Sequence, residues 1–504
     1  MSFILALDAG TTSLKGALFD LSGKMLGVCV HEYQLDHPAP DIVELEVEVY
    51  WSAAQAVITD LLKATGVPPA AITALGVTSQ GETLIVLDRH GRPLRKAIVW
   101  LDNRAKAEAE IIKEEFGRDL VYQMTGQQDI VPGWPAAKIL WLRDHEPEVF
   151  HAADKFLLLE DYLIYRLTGK FATDHALNPS TLYYDMRKGC WWESMLSLLG
   201  ISPRQLPALL NSGESAGKVI AQTGLSQETV VTVAPIDQVA AAVGAGNVAP
   251  GVITETTGAA LAVCATVDRP VYDPRGRVAL YRHGVPGLFV LLPWIPMAGM
   301  IFRWFRDEFG GGMDYSSLVE QAAAVPPGSD GLIVLPHFSG MNSPDVNPEA
   351  KGVFWGISTA HRKAHFTRAI LEAVAFALHD NLDLLVRSGI DCREITSLGG
   401  GARSRLWLQI KADVLQQPIK TMLCEETTSL GTAVLAAART GCFTNLDAAI
   451  AAMVHPAGTI SPNAQNREVY DAAFRKYREL NRKYFSAGKS HKSHTQGEIS
   501  SWPC

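Results

Sequence analysis

Leu5-Ala-Leu-Asp-Ala-Gly-Thr-Thr-Ser-Leu-Lys-Gly-Ala-Leu-Phe-Asp20 is the stretch on which the reading of the whole chain turns. The apolar run Phe3 to Leu7 predicts a buried strand that stops at Asp8. Gly10-Thr11-Thr12-Ser13 then makes a tight, hydroxyl-rich turn, and Lys15 to Phe19 predicts a second strand. A glycine lets backbone N–H groups come close to a ligand, and consecutive N–H groups in such a turn form an anion-binding nest. The hydroxyls add donors and Lys15 adds charge. Asp8, at the strand end, is placed to hold a hydrated Mg²⁺ beside phosphates, because Mg²⁺ favours one or two carboxylates together with phosphate oxygens. Taken alone, the turn fits an ordinary polar hairpin equally well, and the rest of the chain decides.

At 504 residues the chain is too long for one ordinary core, so two large domains or more are expected. A hydrophobic share of 47% and a charged share of 19% fit a globular protein. The formal net charge of −8 argues against nucleic acid or an anionic membrane as the main partner. It leaves a local nest free to bind nucleotide phosphates. The seven cysteines are scattered with no C-x-x-C pair, which points to no disulfide framework, no zinc site and a reducing compartment. The longest apolar stretch, Leu288 to Phe302, is broken by Pro293, Pro296 and Gly299. It is shorter than the ~20 residues needed to span a bilayer. With no leader expected before the first strand, the reading is a cytoplasmic protein.

Outward from the opening stretch, Met25–Tyr33 predicts a third strand and so an antiparallel meander. Apolar spacing predicts helices over 50–65 and 104–116 and around Trp141 and Tyr162, with strands at 72–78, 84–88 and 97–100. Val230–Ala234 predicts a strand stopping at Pro235-Ile-Asp237, followed by a small-residue helix, 238–245. Asn247-Val-Ala-Pro-Gly251 is the candidate boundary. After it, Gly251 to Cys264 again reads as strand, Thr/Gly turn, strand, a faint echo of residues 5–19. Helices over 298–309, 364–386, 404–415 and 429–439 and a strand running into Gly399-Gly400-Gly401 follow. The stretch 486–504 lacks periodicity and is expected to be disordered.

Several motifs in order now resemble the FGGY carbohydrate kinase family. They are Gly133-Trp-Pro-Ala-Ala-Lys-Ile-Leu-Trp-Leu-Arg-Asp-His145, Gly352-Val-Phe-Trp-Gly-Ile357, and His365-Phe-Thr-Arg-Ala-Ile-Leu-Glu372. The stretch Leu335 to Ile357 is most similar to xylulokinases. The resemblance spans residues 3–485 and implies an α/β, duplicated actin-like ATPase (ribonuclease H-like) fold with two domains around a central cleft. It implies an N-terminal domain, 1–247, with the sugar site and first phosphate loop, and a nucleotide-binding C-terminal domain, 248–485. It implies ATP and Mg²⁺ as cofactors and a small sugar or polyol as substrate, with a homodimer as an assembly left open.

Phosphorylating a hydroxyl requires the γ-phosphate to be held in line, its charge neutralised and the hydroxyl proton removed. Asp237 follows a strand at the start of a helix, where the dipole favours a carboxylate. Alone it reads more readily as a helix cap. The resemblance turns it into the catalytic base, since similar kinases carry theirs at the matching position. Xylulokinases follow that base with Asn and glycerol kinases with Gln; here it is Gln238.

Ser79-Gln80-Gly81-Glu82-Thr83 follows a strand end, and Gln80 and Glu82 offer an amide and a carboxylate to a polyol. Glycerol kinases carry Arg then Glu in this loop; Gly81 in place of the Arg is expected to leave room for a longer carbon chain. The Met-His pair of xylulokinases is absent. Asp102 and Arg104 are family-like, or else a buried structural pair. For the nucleotide, the resemblance implies Gly10, Thr11, Thr12, Ser13 and Lys15 in the first phosphate loop and Thr256, Thr257 and Gly258 in the second. Gly299 matches a nucleotide contact, Arg303 fits that helix or plain surface, and Gly400 and Gly401 offer bare backbone to adenosine. The alternatives are a glycerol- or erythritol-type kinase and, in a different class, a non-catalytic actin-like nucleotide-binding protein. Such a binder has no need of Asp237.

Overall fold

The computed structural model describes residues 2–485. β1 (Phe3–Ala9) and β2 (Ser13–Asp20) pair antiparallel across the opening turn, with Asp8 opposite Lys15. Both strands are apolar in sequence and largely buried, as central strands covered on two faces must be. β3 (Met25–Glu32) completes the meander as a half-exposed edge. α1 (Val47–Thr65) starts earlier than its spacing predicted, since Val47 is buried as well, and stops at Gly66, whose φ of 65° suits a left-handed cap. It carries the chain over to β4 (Ile72–Ser79), parallel to β1. β5 (Ser215–Lys218) and β6 (Val230–Val233) extend the sheet to the order β5-β6-β4-β1-β2-β3. α2 (Asp237–Gly244) follows β6.

Between β4 and β5 lies a separate helical core in which Ile112, Ile139 and Leu140 are fully buried. The helix expected over 104–116 runs from Lys106 to Thr125 instead, bent at Gly117, whose φ of 69° is not helical.

The second half begins with β7 (Val252–Thr257), β8 (Leu261–Val267), β9 (Ala279–Arg282), β10 (Phe289–Leu292) and α3 (Gly299–Phe309). Then come α4 (Lys363–Arg387), β11 (Glu394–Leu398), α5 (Arg405–Leu415) and β12 (Ile419–Met422). α6 (Thr427–Arg439), α7 (Leu446–Met453), β13 (Pro456–Ile460) and α8 (Arg467–Phe485) complete the described chain. The second sheet runs β9-β10-β8-β7-β11-β12-β13, with a short strand at Trp294–Ile295 added on β8. Its pairing senses repeat those of the first sheet. β7 is antiparallel to β8 and parallel to β11, as β1 is antiparallel to β2 and parallel to β4. β13 is antiparallel to β12, as β5 is to β6. The echo between residues 5–19 and 251–264 is a duplication of topology.

The halves interlock. α6 and α7 lie on the first sheet, where Leu430, Ala433 and Met453 share a core with Ile4, Phe19 and Ala74. α2 and α6 cross in backbone contact: a Cβ on Gly244 would lie 1.9 Å from the Thr427 carbonyl, and one on Gly431 1.9 Å from that of Ala240. The small residues of 238–245 thus serve a close crossing. Among the described residues no helix is long and apolar enough to cross a membrane. The expectation for 486–504 lies outside the described residues.

Candidate active site

The first turn is built by its neighbours. The Gly10 N–H donates to the Ser13 carbonyl at 2.9 Å, and the Tyr33 hydroxyl donates to the Gly10 carbonyl at 2.5 Å. The Thr11 hydroxyl accepts from Trp100 Nε1 at 2.9 Å and donates to Gln80 Oε1 at 3.2 Å. Gln80 Nε2 donates to the Thr83 hydroxyl at 3.0 Å. Gln80, expected on the substrate, ties the first turn to the 79–83 loop. Thr11 offers a ligand its backbone rather than its hydroxyl. Thr12 is exposed, and its hydroxyl has no partner among the described residues.

Lys15 makes an ion pair with Glu426, the residue before α6, so the turn is joined across the halves. Asp8 sits beside both. Burial pushes its carboxyl up to about 6, the Lys15 charge opposing and the Glu426 charge adding. Asp237, the first residue of α2, is pushed up to about 7 by burial, then by the charge of Asp8 and, further off, of Glu82. Its Oδ1 accepts from the Gln238 N–H at 2.6 Å, and the strand before it is fixed by the Thr78 hydroxyl on the Pro235 carbonyl at 2.6 Å. Asp8, Asp237 and Glu82 are each half-buried.

No three acidic, histidine or cysteine side chains among the described residues form a complete metal cage. The donor set fits a hard cation that brings its own oxygens. Asp8 would supply one carboxylate, and phosphate oxygens and water would supply the rest of a Mg²⁺ shell. Asp8→Asn should raise the KM for Mg²⁺-ATP and the Mg²⁺ requirement about tenfold or more while the sugar KM stays within about twofold. Mg²⁺ titrations at fixed ATP check this, and a change confined to the sugar KM would refute the placement of phosphates at the first turn.

Glu82 has a φ of 65°, costly for a residue with a Cβ, and marks a strained loop at the cleft. The loop is propped by Lys138, fully buried, whose Nζ donates to the Glu82 and Val99 carbonyls at 2.9 Å each. Burial pushes that ammonium down to about 7, against the charges of Asp102 and Glu82. Ser180 stands against the Glu82 carboxylate, and the Tyr281 hydroxyl is turned towards Ser180 and Gln127. Ser180 Oγ, Gln127 Nε2 and Gln238 Oε1 are buried without a hydrogen-bond partner. Unpaired buried polar atoms are costly, and such atoms close to a buried carboxylate leave hydrogen bonds for a polar ligand to make.

Of these residues, only Lys138 left a trace in the sequence: a cation inside an apolar helix. Ser180, Gln127 and Tyr281 come from segments that carry no such signal. Gly81 needs a correction. A Cβ there would lie 3.0 Å from Ile236 Cδ1 and 3.5 Å from Ser180 Oγ, so the wall is closed by Ile236 rather than left open for a longer chain. Asp102 and Arg104 are the structural pair. Asp102 is fully buried, accepts from Arg104 Nη2 at 2.7 Å and also holds the Val43 N–H at 2.7 Å.

The second half offers a cleft of about 770 Å³ whose walls include Thr257, Gly258, Gly299, Gly400, Gly401 and Trp407. Gly299 must be glycine, since a Cβ would stand 2.4 Å from the Gly258 carbonyl; its own N–H donates to that carbonyl at 2.9 Å. Gly400 faces open space. Thr256, alternating with Thr257 along β7, is not part of this wall. Arg303 is exposed and lies 3.6 Å from Asp307, a surface pair at the cleft mouth.

Two family models match the chain: the N-terminal domain of the FGGY family of carbohydrate kinases over residues 3–244, and its C-terminal domain over 253–440. A xylulose kinase of Lactococcus lactis subsp. lactis is 30% identical over 95% of this chain and 96% of its own. A glycerol kinase of Trichlorobacter lovleyi is 32% identical over 86% of this chain and 90% of its own. The crystal structure of a ligand-bound xylulose kinase from Lactobacillus acidophilus superposes with a TM-score of 0.89 at 26% identity, covering 96% of this chain and 98% of that one.

Proposed function

The chain belongs to the FGGY family of carbohydrate kinases, and we propose that within it the protein phosphorylates a hydroxyl of a pentulose-sized sugar, as a xylulose kinase does. It is an ATP-dependent sugar kinase with the duplicated actin-like fold. The observation that carries the substrate reading is the unpaired Ser180 Oγ and Gln127 Nε2 about Tyr281 near Glu82, with the unpaired Gln238 Oε1 on the residue after Asp237. Ser180 Oγ, Gln127 Nε2 and Gln238 Oε1, with the Glu82 carboxylate, offer donors and acceptors to several hydroxyls at once. A site built to bond hydroxyls rejects a ligand lacking them far more strongly than one that senses a methylene. A three-carbon polyol would leave part of this set unpaired.

In this reading residues 1–247 hold the sugar and the first phosphate turn, and 248–485 hold the nucleotide. Asp237 takes the proton from the attacking hydroxyl as the bond to phosphorus forms. Lys15, the Gly10–Ser13 backbone and the Thr12 hydroxyl balance the charge of the transferred group. Bound Mg²⁺ would neutralise the phosphate oxygens beside Asp8. Gly258, Gly299, Gly400 and Gly401 give the nucleotide a wall of bare backbone. A cytoplasmic location and a homodimer belong to the same proposal.

Glu82 with Gln238 favours glycerol or erythritol as a second reading, since glycerol kinases pair Glu and Gln at those places. ATP consumption across xylulose, ribulose, xylitol, erythritol and glycerol tests both. A kcat/KM for a pentulose at least tenfold above that for glycerol is expected. Glycerol as the best substrate of the panel would hand the site to the polyol reading.

A further inference from the structure

Beneath the nucleotide cleft lies an ion pair with no solvent exposure at either side chain: Lys411 on α5 and Glu255 on β7. Lys411 Nζ donates to Glu255 Oε1 at 2.6 Å and to the Thr257 hydroxyl at 2.9 Å, with Ser397 Oγ further off at 3.4 Å. The Thr257 hydroxyl donates to Glu255 Oε2 at 2.7 Å, and the Ser397 hydroxyl closes on Oε1. Every strong donor and acceptor in the group is used.

The location gives the pair its meaning. Glu255 and Ser397 are register partners on the parallel strands β7 and β11. The two nucleotide loops leave from the ends of these strands: Thr257-Gly258 after β7, and Gly399–Gly401 after β11. The glycine run is pressed directly on Thr257. A Cβ on Gly401 would stand 2.7 Å from Thr257 Cβ and 3.4 Å from Lys411 Nζ, and one on Gly399 2.9 Å from the Thr257 carbonyl. The same ammonium lies 5.3 Å from the ring of Trp407, a wall of the cleft. The glycine run has no side chains of its own with which to pack, so its spacing from Thr257 depends on how the strands beneath it are tied together. Replacing a buried ion pair by apolar residues of similar volume is often neutral or stabilising, so stability alone does not account for it.

We propose that Lys411 and Glu255 are positioning residues for the nucleotide, a strut that holds the second phosphate loop and the glycine run at the spacing ATP requires. Thr257 acts as its upper end. With its hydroxyl bonded downward, Thr257 meets the nucleotide through its backbone. The inference rests on the nucleotide reading of the cleft.

Calorimetric titration of the full-length protein with ADP, paired with steady-state KM values, tests it. Lys411→Met should raise the ADP Kd and the ATP KM about tenfold or more and leave the sugar KM within about twofold. Because that variant strands a buried carboxylate and may not fold, the deciding protein is the double variant Lys411→Met with Glu255→Leu. It should keep a wild-type melting temperature and still bind ADP about tenfold more weakly. A double variant that binds ADP within twofold of wild type overturns the strut. A wild type that binds no ADP overturns the nucleotide reading and the strut together.

Discussion

Asp237→Asn should lower kcat by about 10²–10⁴-fold, the usual worth of a general base, with the ADP Kd and the sugar Kd within about twofold of wild type. Asp237 is the first residue of α2, half-buried and held to the Gln238 N–H. Its carboxyl is pushed up to about 7, by burial first and then by Asp8. The ionised form is the base, so kcat/KM for the sugar should rise with pH through that region. The charge of Asp8, itself pushed up to about 6, contributes to the Asp237 shift after burial.

Stability should run the other way. A carboxyl whose folded pKa is raised from 3.8 to about 7 favours the folded state when protonated. That contribution is present below about pH 4 and is lost as pH rises through about 7. The melting temperature of Asp237→Asn should therefore exceed that of wild type by a margin that grows between those limits and is flat above them. One pKa unit corresponds to about 1.36 kcal/mol. Water reaching the open face of Asp237 screens part of this, leaving on the order of 1–3 kcal/mol. A variant that keeps more than a tenth of wild-type kcat, or a stability difference that does not change with pH, would reduce Asp237 to a helix cap.

The opening strands, the restart after 251 and the glycine run were legible because each is local: an apolar run, a turn composition, a break. Position in the chain is enough to place Asp8 and Lys15 beside the first turn and Gly258 and Gly400 just past strand ends. What a side chain does once there depends on what packs against it. Gln80 and the Thr11 hydroxyl have the right chemistry for ligands, yet Trp100 and Thr83 consume them. Gly81 promised space, and Ile236 from a distant segment fills it. Ser180 and Gln127 gave no signal, since being left buried and unpaired is a consequence of the fold and not of a local pattern. Lys411 and Glu255 sit on two elements whose neighbourhood is set by the parallel pairing of β7 with β11, which no local pattern reveals.

The crossing of α2 and α6 was likewise hidden, and it carries the second large effect. Gly431→Val should leave little active enzyme. A Cβ at that position would stand 1.9 Å from the Ala240 carbonyl and 2.6 Å from the Gly244 amide nitrogen, both backbone atoms that cannot rotate aside. The helices can accept it only by moving apart. Overpacking of this kind costs about 1–3 kcal/mol, occasionally more. The functional loss should be larger than that figure suggests. Asp237 begins one helix, and Glu426, the partner of Lys15, precedes the other. Separation therefore draws Asp237 away from Lys15 and the first turn. Gly431→Ala should already lower the melting temperature by several degrees and reduce kcat about tenfold in the fraction that stays folded. Gly458→Ala is the control, since an added Cβ there meets nothing within 4 Å. Wild-type melting temperature and kcat in Gly431→Ala would show that the crossing yields freely, and that the halves are not held by these two glycines.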